Sequence, residues 1–187
     1  MAKTVQPRAN DDLVLKARTQ ADALGRLYEL YYEQIFRFCV HRLFSKESAE
    51  DVTSSVFLSV ARGMRTFKGQ TEQEFRSWLY AIAANQANAY IRMTSRRARL
   101  SSCVLRRAYC ATDDGEATTH DDLAGLDWPT VYAAILKLKP KYQTIVTLRF
   151  FEGLDFEEIG RIMDAKTATV RVMLHRSLKR LKGMLTE

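Results

Sequence analysis

The sequence predicts an all-α protein made of two small helical domains joined by a flexible acidic linker. Apolar residues recur at helical spacing through most of residues 11–97 and again through residues 128–187, and both stretches carry a surplus of basic residues. The segment 98–127 between them has no sustained period and accumulates aspartate and glutamate. With 47% apolar and 10% aromatic residues, the 187-residue chain can bury one ordinary core or two small ones.

The first domain, residues 11–97, is predicted to be a helical bundle. After ten disordered residues at the N-terminus, helical spacing is found over residues 11–19, 22–44, 45–61 and from 71 to the arginines near 96. Ser45 or Ser48 can cap the third of these helices, and Thr71 with Glu74 forms a capping box for the fourth. Residues 62–70 include two glycines and three basic residues, which favours an exposed loop.

The second domain, residues 128–187, is predicted to hold four helices. Trp128 begins a helix that runs to Lys137, and Pro140 begins the next, since proline is tolerated in the first turn of a helix. That helix is expected to end at Phe151. A short turn then leads into the final pair of helices.

This final pair, residues 155–185, has the pattern of a helix-turn-helix. The motif needs a small residue where the helices nearly touch, a corner residue that tolerates positive φ four positions later, and a branched apolar plug six positions beyond that. Gly160, Asp164 and Val170 occupy these positions. A glycine inside a helix costs about 1 kcal/mol relative to alanine, and close backbone approach at the corner explains Gly160.

The last helix has a basic outer face without an acidic residue. Winding residues 170–182 at about 100° per residue places Val170, Met173 and Leu178 with the other apolar residues on one side. The remaining surface carries basic residues, namely Arg171, His175, Arg176, Lys179, Arg180 and Lys182. A cationic helix with a free N-terminal turn suits the major groove of DNA, because its first turns reach base edges while its basic residues neutralise phosphates.

The composition favours a DNA-binding protein over an enzyme. The net charge of +7 implies a polyanionic partner, and there is no phosphate-binding loop, nucleophile–base pair or metal-ligand cluster, so no catalytic residue, metal or cofactor is expected. Cys103, Cys110 and His120 match no standard zinc spacing, and the three cysteines are expected to stay reduced. No apolar run approaches the roughly 20 residues that span a bilayer, so a cytoplasmic location without membrane insertion is expected.

Four blocks of the sequence, taken in order, resemble the extracytoplasmic-function (ECF) group of bacterial RNA polymerase sigma factors. The blocks are LYELYYEQIFRFCVHRLF, which ends at Phe44, SAEDVTSSVFLSV (48–60), FRSWLYAIAANQANAYIR (75–92) and LRFFEGLDFEEIGRIMDAKTATVRVMLHRSLKRL (148–181). The resemblance covers nearly the whole chain. It implies sigma region 2 at residues 11–97 and sigma region 4 at residues 128–187.

The resemblance also implies function and partners. The chain would bind the RNA polymerase core, direct it to promoters and open the DNA there, and an anti-sigma factor would be its antagonist. Region 2 would dock on the clamp helices of the largest polymerase subunit and region 4 on the flap. The core-binding residues implied are Glu50, Asp51, Ser54, Ser55 and Phe57. Ser54 and Ser55 stand where the family usually has Gln–Glu or Gln–Asp, and their hydroxyls reach less far.

Promoter recognition is likewise assigned by the resemblance. Minus-35 recognition would fall on Lys166, Thr167, Thr169, Arg171, His175, Arg176 and Lys179. Minus-10 recognition and opening would fall on Arg65, Phe67, Lys68, Trp78, Tyr80, Asn85, Asn88, Arg92 and Arg96. Asn85 is expected to bind an extruded base, since a preformed pocket with an amide and aromatic walls offsets the few kcal/mol that unstacking costs. Trp78 is either a base platform or part of the core, and the arginines either follow phosphates or end a solvated helix.

Two other functions fit parts of the sequence. A sigma-like decoy would bind an anti-sigma factor but not the polymerase, and the residues Ser54 and Ser55 would suit it. A plain operator-binding regulator would use the helix-turn-helix alone, with the first domain as a sensor or dimerisation unit. Such a regulator has no use for a second DNA-facing surface that combines a basic loop with Asn85.

Overall fold

The computed structural model describes residues 10–100 and 128–186, with side chains described for 10–94 and 129–186. These residues form helices and turns without a strand, which confirms the all-α prediction. The helices are α1 (Asp11–Lys16), α2 (Ala21–Leu43), α3 (Lys46–Gly63), α4 (Glu72–Leu100), α5 (Trp128–Lys137), α6 (Pro140–Val146), α7 (Phe156–Met163) and α8 (Thr167–Leu185). Most of the predicted N-terminal disorder and the predicted linker lie outside the described residues.

The first four helices enclose an apolar core built mainly by α2, α3 and α4. Ile35 and Phe38 of α2 are fully buried, as the helical spacing predicted, and they share the core with Val56 of α3 and Leu79 of α4. Tyr28 of α2 is 44% exposed. It lies at the edge of the bundle, where its ring packs edge-on against Phe57 at a centroid distance of 4.8 Å.

Two helix starts follow the predicted capping chemistry. The Ser45 hydroxyl accepts a hydrogen bond of 3.2 Å from the backbone of Ser48 and caps α3. At α4, the Thr71 hydroxyl accepts from the Glu74 backbone at 3.2 Å, and the Glu74 carboxylate accepts from the Thr71 backbone at 3.1 Å. The backbone N–H groups of Gln70 and Thr71 lower the pKa of Glu74, since they bond its charged form.

Cys39 is a structural thiol, in line with its place on the apolar side of α2. It is fully buried in the first bundle. Burial raises the pKa of the Cys39 thiol to about 11, so the side chain stays protonated and unreactive near neutral pH. Cys103 and Cys110 lie outside the described residues.

The second half of the chain packs directly against the first. Helix α6 widens into a π-helical turn at Thr147–Phe151, and this turn lies against α2. The rings of His41 and Phe151 are 4.5 Å apart between centroids, and those of Phe44 and Tyr132 are 4.8 Å apart. The residue pattern did not predict this packing.

The described part of the chain has neither a membrane-spanning helix nor a cluster of metal ligands. Among its helices, none has both the length and the apolar character that crossing a bilayer requires. Within the same residues, no three His, Cys, Asp or Glu side chains lie close enough together to hold a metal ion.

Candidate nucleic-acid interface

Helices α7 and α8 form the predicted helix-turn-helix. Asp164 at the corner has a positive φ of 49°, as the motif requires. A Cβ placed on Gly160 would lie 2.7 Å from the carbonyl oxygen of Ala165, which is backbone and cannot move aside. Val170 is fully buried between the two helices. All three motif positions therefore have the predicted geometry.

The outer face of α8 is open to solvent and cationic. Among the residues predicted to read the minus-35 element, Lys166, Thr169, Arg171, His175, Arg176 and Lys179 are exposed, and Thr167 is half-buried. No acidic residue lies on α8, and no side chain caps its first turn, so the backbone N–H groups there are available to an anion. Leu178 was expected to face the core but is 40% exposed, at the edge of the apolar stripe.

One predicted contact residue is held in place by an aromatic ring. The guanidinium carbon of Arg171 lies 5.3 Å from the ring centroid of Phe156, and that of Arg149 lies 5.2 Å from the same centroid. Cation–π contacts of this kind restrict a long side chain while leaving its outer N–H groups free to bind. The sequence identifies Phe156 only as an apolar residue at the start of α7, and nothing in its pattern predicts the contact with Arg171.

A second candidate surface runs along one face of α4. Trp78, Asn85 and Arg92 are spaced seven residues apart, which is nearly two helical turns, so they share that face. Asn85 and Arg92 are exposed, and Trp78 is half-buried. Arg65 and Lys68 of the preceding segment are exposed as well. The side chain of Arg96 lies outside the described residues.

The segment before α4 is less open than predicted. Residues 62–70 were expected to form an exposed loop, but Met64 is 1% exposed and begins a short 3-10 turn. Phe67 is stacked on Trp78, with ring centroids 4.7 Å apart and an interplanar angle of 25°. Trp78 was predicted to be either a platform for a base or part of the core. Its ring packs against the bundle while remaining partly accessible, so it has features of both.

Two residues of the predicted minus-10 set are engaged by other side chains of the protein rather than open to DNA. Tyr80 is 2% exposed, and its hydroxyl donates a hydrogen bond of 2.9 Å to Glu152. The Asn88 side-chain oxygen accepts a bond of 2.6 Å from Arg42. Tyr80 is therefore covered by the second half of the chain, so its assignment to DNA requires the two halves to separate. Asn88 is half-buried and is held by Arg42 within the first half.

The junction between the halves buries an unbalanced cation. Arg42 is fully buried and donates to the side-chain oxygens of Gln143 and Asn88, each at 2.6 Å. No carboxylate among the described residues pairs with it, and burial lowers the pKa of Arg42 to about 10. Burying a charge on amide partners alone offsets only part of its desolvation cost. The junction is thus less stable than its apolar contacts alone would make it.

Glu152 is the acidic counterpart on the other side of the junction. Its side chain is 1% exposed and lies 3.5 Å from the guanidinium of Arg37 and 3.8 Å from Nδ1 of His41. Burial, reinforced by the charge of Glu152, raises the pKa of Tyr80, so the tyrosine stays a hydrogen-bond donor. Close by, Arg76 of α4 forms an ion pair with Glu158 of α7.

The predicted core-binding residues lie on the outer side of α3. Glu50, Asp51, Ser54 and Ser55 are exposed, whereas Phe57 is half-buried against α2. The neighbouring side chain of Leu58 is 52% exposed.

Models of two protein families match this chain. The model of sigma-70 region 2 matches residues 27–97, and the model of sigma-70 region 4 matches residues 130–181. The first match contains α3 and the face of α4 that carries Asn85, and the second contains the helix-turn-helix.

Characterised relatives extend the similarity over most of the chain. The ECF RNA polymerase sigma factor BldN of Streptomyces coelicolor is 30% identical over 178 residues, which are 94% of this chain and 66% of BldN. The RNA polymerase sigma-H factor of Pseudomonas aeruginosa is 30% identical over 152 residues, 79% of this chain and 78% of that protein. The RNA polymerase sigma factor YlaC of Bacillus subtilis is 28% identical over 171 residues and is covered to 94% of its length.

Solved structures share the fold. CnrH in complex with the cytosolic domain of CnrY has a TM-score of 0.66 and 18% identity, with 96% of this chain and 98% of that chain covered. The sigma factor RpoE in complex with the anti-sigma factor NepR from Bartonella quintana has a TM-score of 0.61 and 17% identity, with 87% of this chain and 96% of that chain covered.

Proposed function

Because this chain belongs to the ECF group of sigma-70 factors, we propose that it binds RNA polymerase core, recognises minus-35 and minus-10 promoter elements and promotes DNA opening. The observation that carries the proposal is the acid-free cationic face of α8 on a helix-turn-helix with its corner intact. Region 4 at residues 128–187 would bring this face to the minus-35 element.

Region 2, at residues 11–97, would read the minus-10 element. The face of α4 with Trp78, Asn85 and Arg92 combines an aromatic ring, an amide and a cation, which are the groups that hold an extruded base and its phosphates. The exposed cations Arg65 and Lys68 extend this surface along the backbone of the opened strand. Tyr80 would join it only after region 4 has moved away, and Asn88 only after it has released Arg42 of the same region.

The proposed protein partners are the polymerase core and an anti-sigma factor. Glu50, Asp51, Ser54 and Ser55, exposed on α3 beside Leu58, would meet the clamp helices, with Phe57 supporting the helix from within. Ser54 and Ser55 would make shorter polar contacts than the longer residues usual in the family. The similarity to the sigma factor RpoE in complex with the anti-sigma factor NepR supports an anti-sigma partner.

Replacing Arg171 with alanine tests the minus-35 assignment. The variant should bind a promoter duplex about ten-fold more weakly, and the slope of log affinity against log salt concentration should fall by about one unit, since one fewer cation meets the duplex. Fluorescence anisotropy at several salt concentrations measures both quantities on a promoter mapped by transcription with purified core enzyme.

Lys137→Ala is the matched control, because it removes an exposed positive charge of the same region from the end of α5 and not from α8. Its affinity and salt slope should equal those of the unmodified chain. If Arg171→Ala behaves like Lys137→Ala, Arg171 does not contact the duplex.

A further inference from the structure

The segment 64–71, called here the recognition loop, is built around two stacked rings. Phe67 lies on Trp78, the first residue of the α4 face that carries Asn85. Two glycines leave room for this stack. A Cβ on Gly69 would lie 2.3 Å from the tip of the Phe67 ring, and a Cβ on Gly63 would lie 2.9 Å from the Trp78 ring. Contacts this close do not occur in real structures, so the observed position of the two rings depends on both glycines.

Arg18 reaches the same loop from the N-terminal end of the chain. It follows α1, and its Nη2 donates a hydrogen bond to the carbonyl oxygen of Gly69 across 51 residues of sequence. Its guanidinium carbon lies 6.0 Å from the ring centroid of Phe67, over the ring. Its Nε is buried and has no hydrogen-bond partner among the described residues. The side chain is therefore held between the bundle and the middle of the loop.

The two ends of the loop are fixed by other contacts. The backbone of Phe67 donates to the Met64 carbonyl at 3.2 Å, and the backbone N–H groups of Gln70 and Thr71 donate to Glu74 at 2.8 and 3.1 Å. Gly69 lies between these anchors, and Lys68 beside it is exposed. The bond from Arg18 thus fixes the stretch that carries Lys68, one of the exposed cations of the proposed minus-10 surface.

We propose that Arg18 is a positioning residue for minus-10 recognition, which holds the recognition loop and the Phe67–Trp78 stack in the geometry that receives the opened strand. The inference rests on the proposed function of region 2. Arginine suits this role because its planar fork can donate to a carbonyl while its face covers an aromatic ring. Lysine can donate but cannot stack in the same way. A preformed loop avoids the entropy cost of ordering the loop when DNA binds.

The test compares Arg18→Ala and Arg18→Lys with Lys16→Ala, all assayed with core polymerase. Lys16 is an exposed cation at the end of α1 and controls for loss of positive charge. Permanganate reactivity of minus-10 thymines should appear roughly ten- to hundred-fold more slowly with both Arg18 variants, as expected for a misplaced binding group. Discrimination between cognate and substituted minus-10 bases should also weaken. Lys16→Ala should keep the opening rate and the base discrimination of the unmodified chain. The affinity for the minus-35 element should be unchanged in all three variants.

A fluorescence readout follows the loop directly. In a Trp128→Phe background, Trp78 is the remaining tryptophan. Its emission should change in Arg18→Ala and in Gly69→Ala, which displaces Phe67 from the other side, but not in Lys16→Ala. Opening rates, base discrimination and emission equal to those of Lys16→Ala in both Arg18 variants would overturn the inference.

The variants Asn85→Ala and Lys68→Ala distinguish a failure of the inference about Arg18 from a failure of the proposed function of region 2. Both side chains are exposed on the proposed minus-10 surface itself. If these two variants slow opening while the Arg18 variants do not, region 2 reads the element and Arg18 does not position it. If none of the four variants affects opening, the minus-10 assignment fails together with the inference.

Discussion

Gly160→Ala should weaken binding to the minus-35 element by roughly ten-fold or more. The new methyl group would lie 2.7 Å from the Ala165 carbonyl oxygen, so the corner between α7 and α8 must shift. Overpacking against fixed backbone typically costs about 1–3 kcal/mol, which exceeds the helix propensity of about 1 kcal/mol that alanine gains. Because α8 carries the cationic face, its displacement from α7 misplaces every proposed minus-35 contact together.

Gly183→Ala is the matched control, since nothing lies within 4 Å of a Cβ at that position in α8. It should leave DNA affinity unchanged and should stabilise the protein by about 0.5–1 kcal/mol, as alanine does in an exposed helix. Urea unfolding and anisotropy on a minus-35 duplex measure both effects. Equal affinities for the two variants would show that the tight corner does not set the position of α8.

Holding the two halves of the chain together should reduce promoter-dependent transcription at least ten-fold. The two promoter elements are about 25 base pairs apart, which is about 85 Å of duplex. A compact chain of 187 residues has a radius of gyration of about 16 Å and spans roughly 40 Å. One packed molecule therefore cannot occupy both elements, whereas the linker predicted at residues 98–127 would extend to about 100 Å.

The ion pair between Arg76 and Glu158 provides the place for a reversible link. Arg76→Cys and Glu158→Cys would be joined by a short, disulfide-containing bis-maleimide in a Cys103→Ser, Cys110→Ser background. Cys39 can stay, because its buried thiol does not react near neutral pH.

Run-off transcription should fall on cross-linking and recover when the linker is reduced. The same double-cysteine chain capped with N-ethylmaleimide controls for the loss of the ion pair and should stay active. Full activity of the cross-linked chain would show that the halves need not separate. The reason to expect separation is energetic as well as geometric, because opening returns Arg42 and Glu152 to water.

Local features of the fold could be predicted from the sequence because each depends on residues close together in the chain. The corner residues Gly160, Asp164 and Val170 lie within one motif, and Ser45 lies directly before the helix it caps. Helical spacing likewise identified Ile35 as a core residue. In each case the physical requirement, whether positive φ, a small residue or an N-cap, selects among few residue types.

Contacts between distant residues could not be predicted in this way. Arg42 has no hydrogen-bond partner that the local sequence identifies, yet it bonds Gln143, which is 101 positions away. Glu152 lies in a predicted turn and bonds Tyr80 across 72 positions. Arg18 has no local pattern that points to Gly69. Only the packing of the two halves, or of α1 against the recognition loop, brings these groups together.

The residues of the candidate site fall into the same two groups, those that one helix is enough to predict and those that depend on contacts between distant residues. The exposed basic face of α8 could be derived from one helix, since a period of 3.6 residues assigns each residue to a side. Tyr80 and Asn88 could not be separated from Asn85 by the resemblance alone, because contacts between distant residues occupy the first two and leave Asn85 exposed. Tyr80 is covered by Glu152 of region 4, and Asn88 is bonded by Arg42 of α2.

Initiation by purified core polymerase on mapped promoter fragments tests the central claim most directly. Adding this chain should produce transcripts from defined start sites, each preceded by paired minus-35 and minus-10 elements, and the chain should co-purify with core. A chain that captures an anti-sigma factor but neither retains core polymerase nor raises promoter-dependent initiation would contradict the claim.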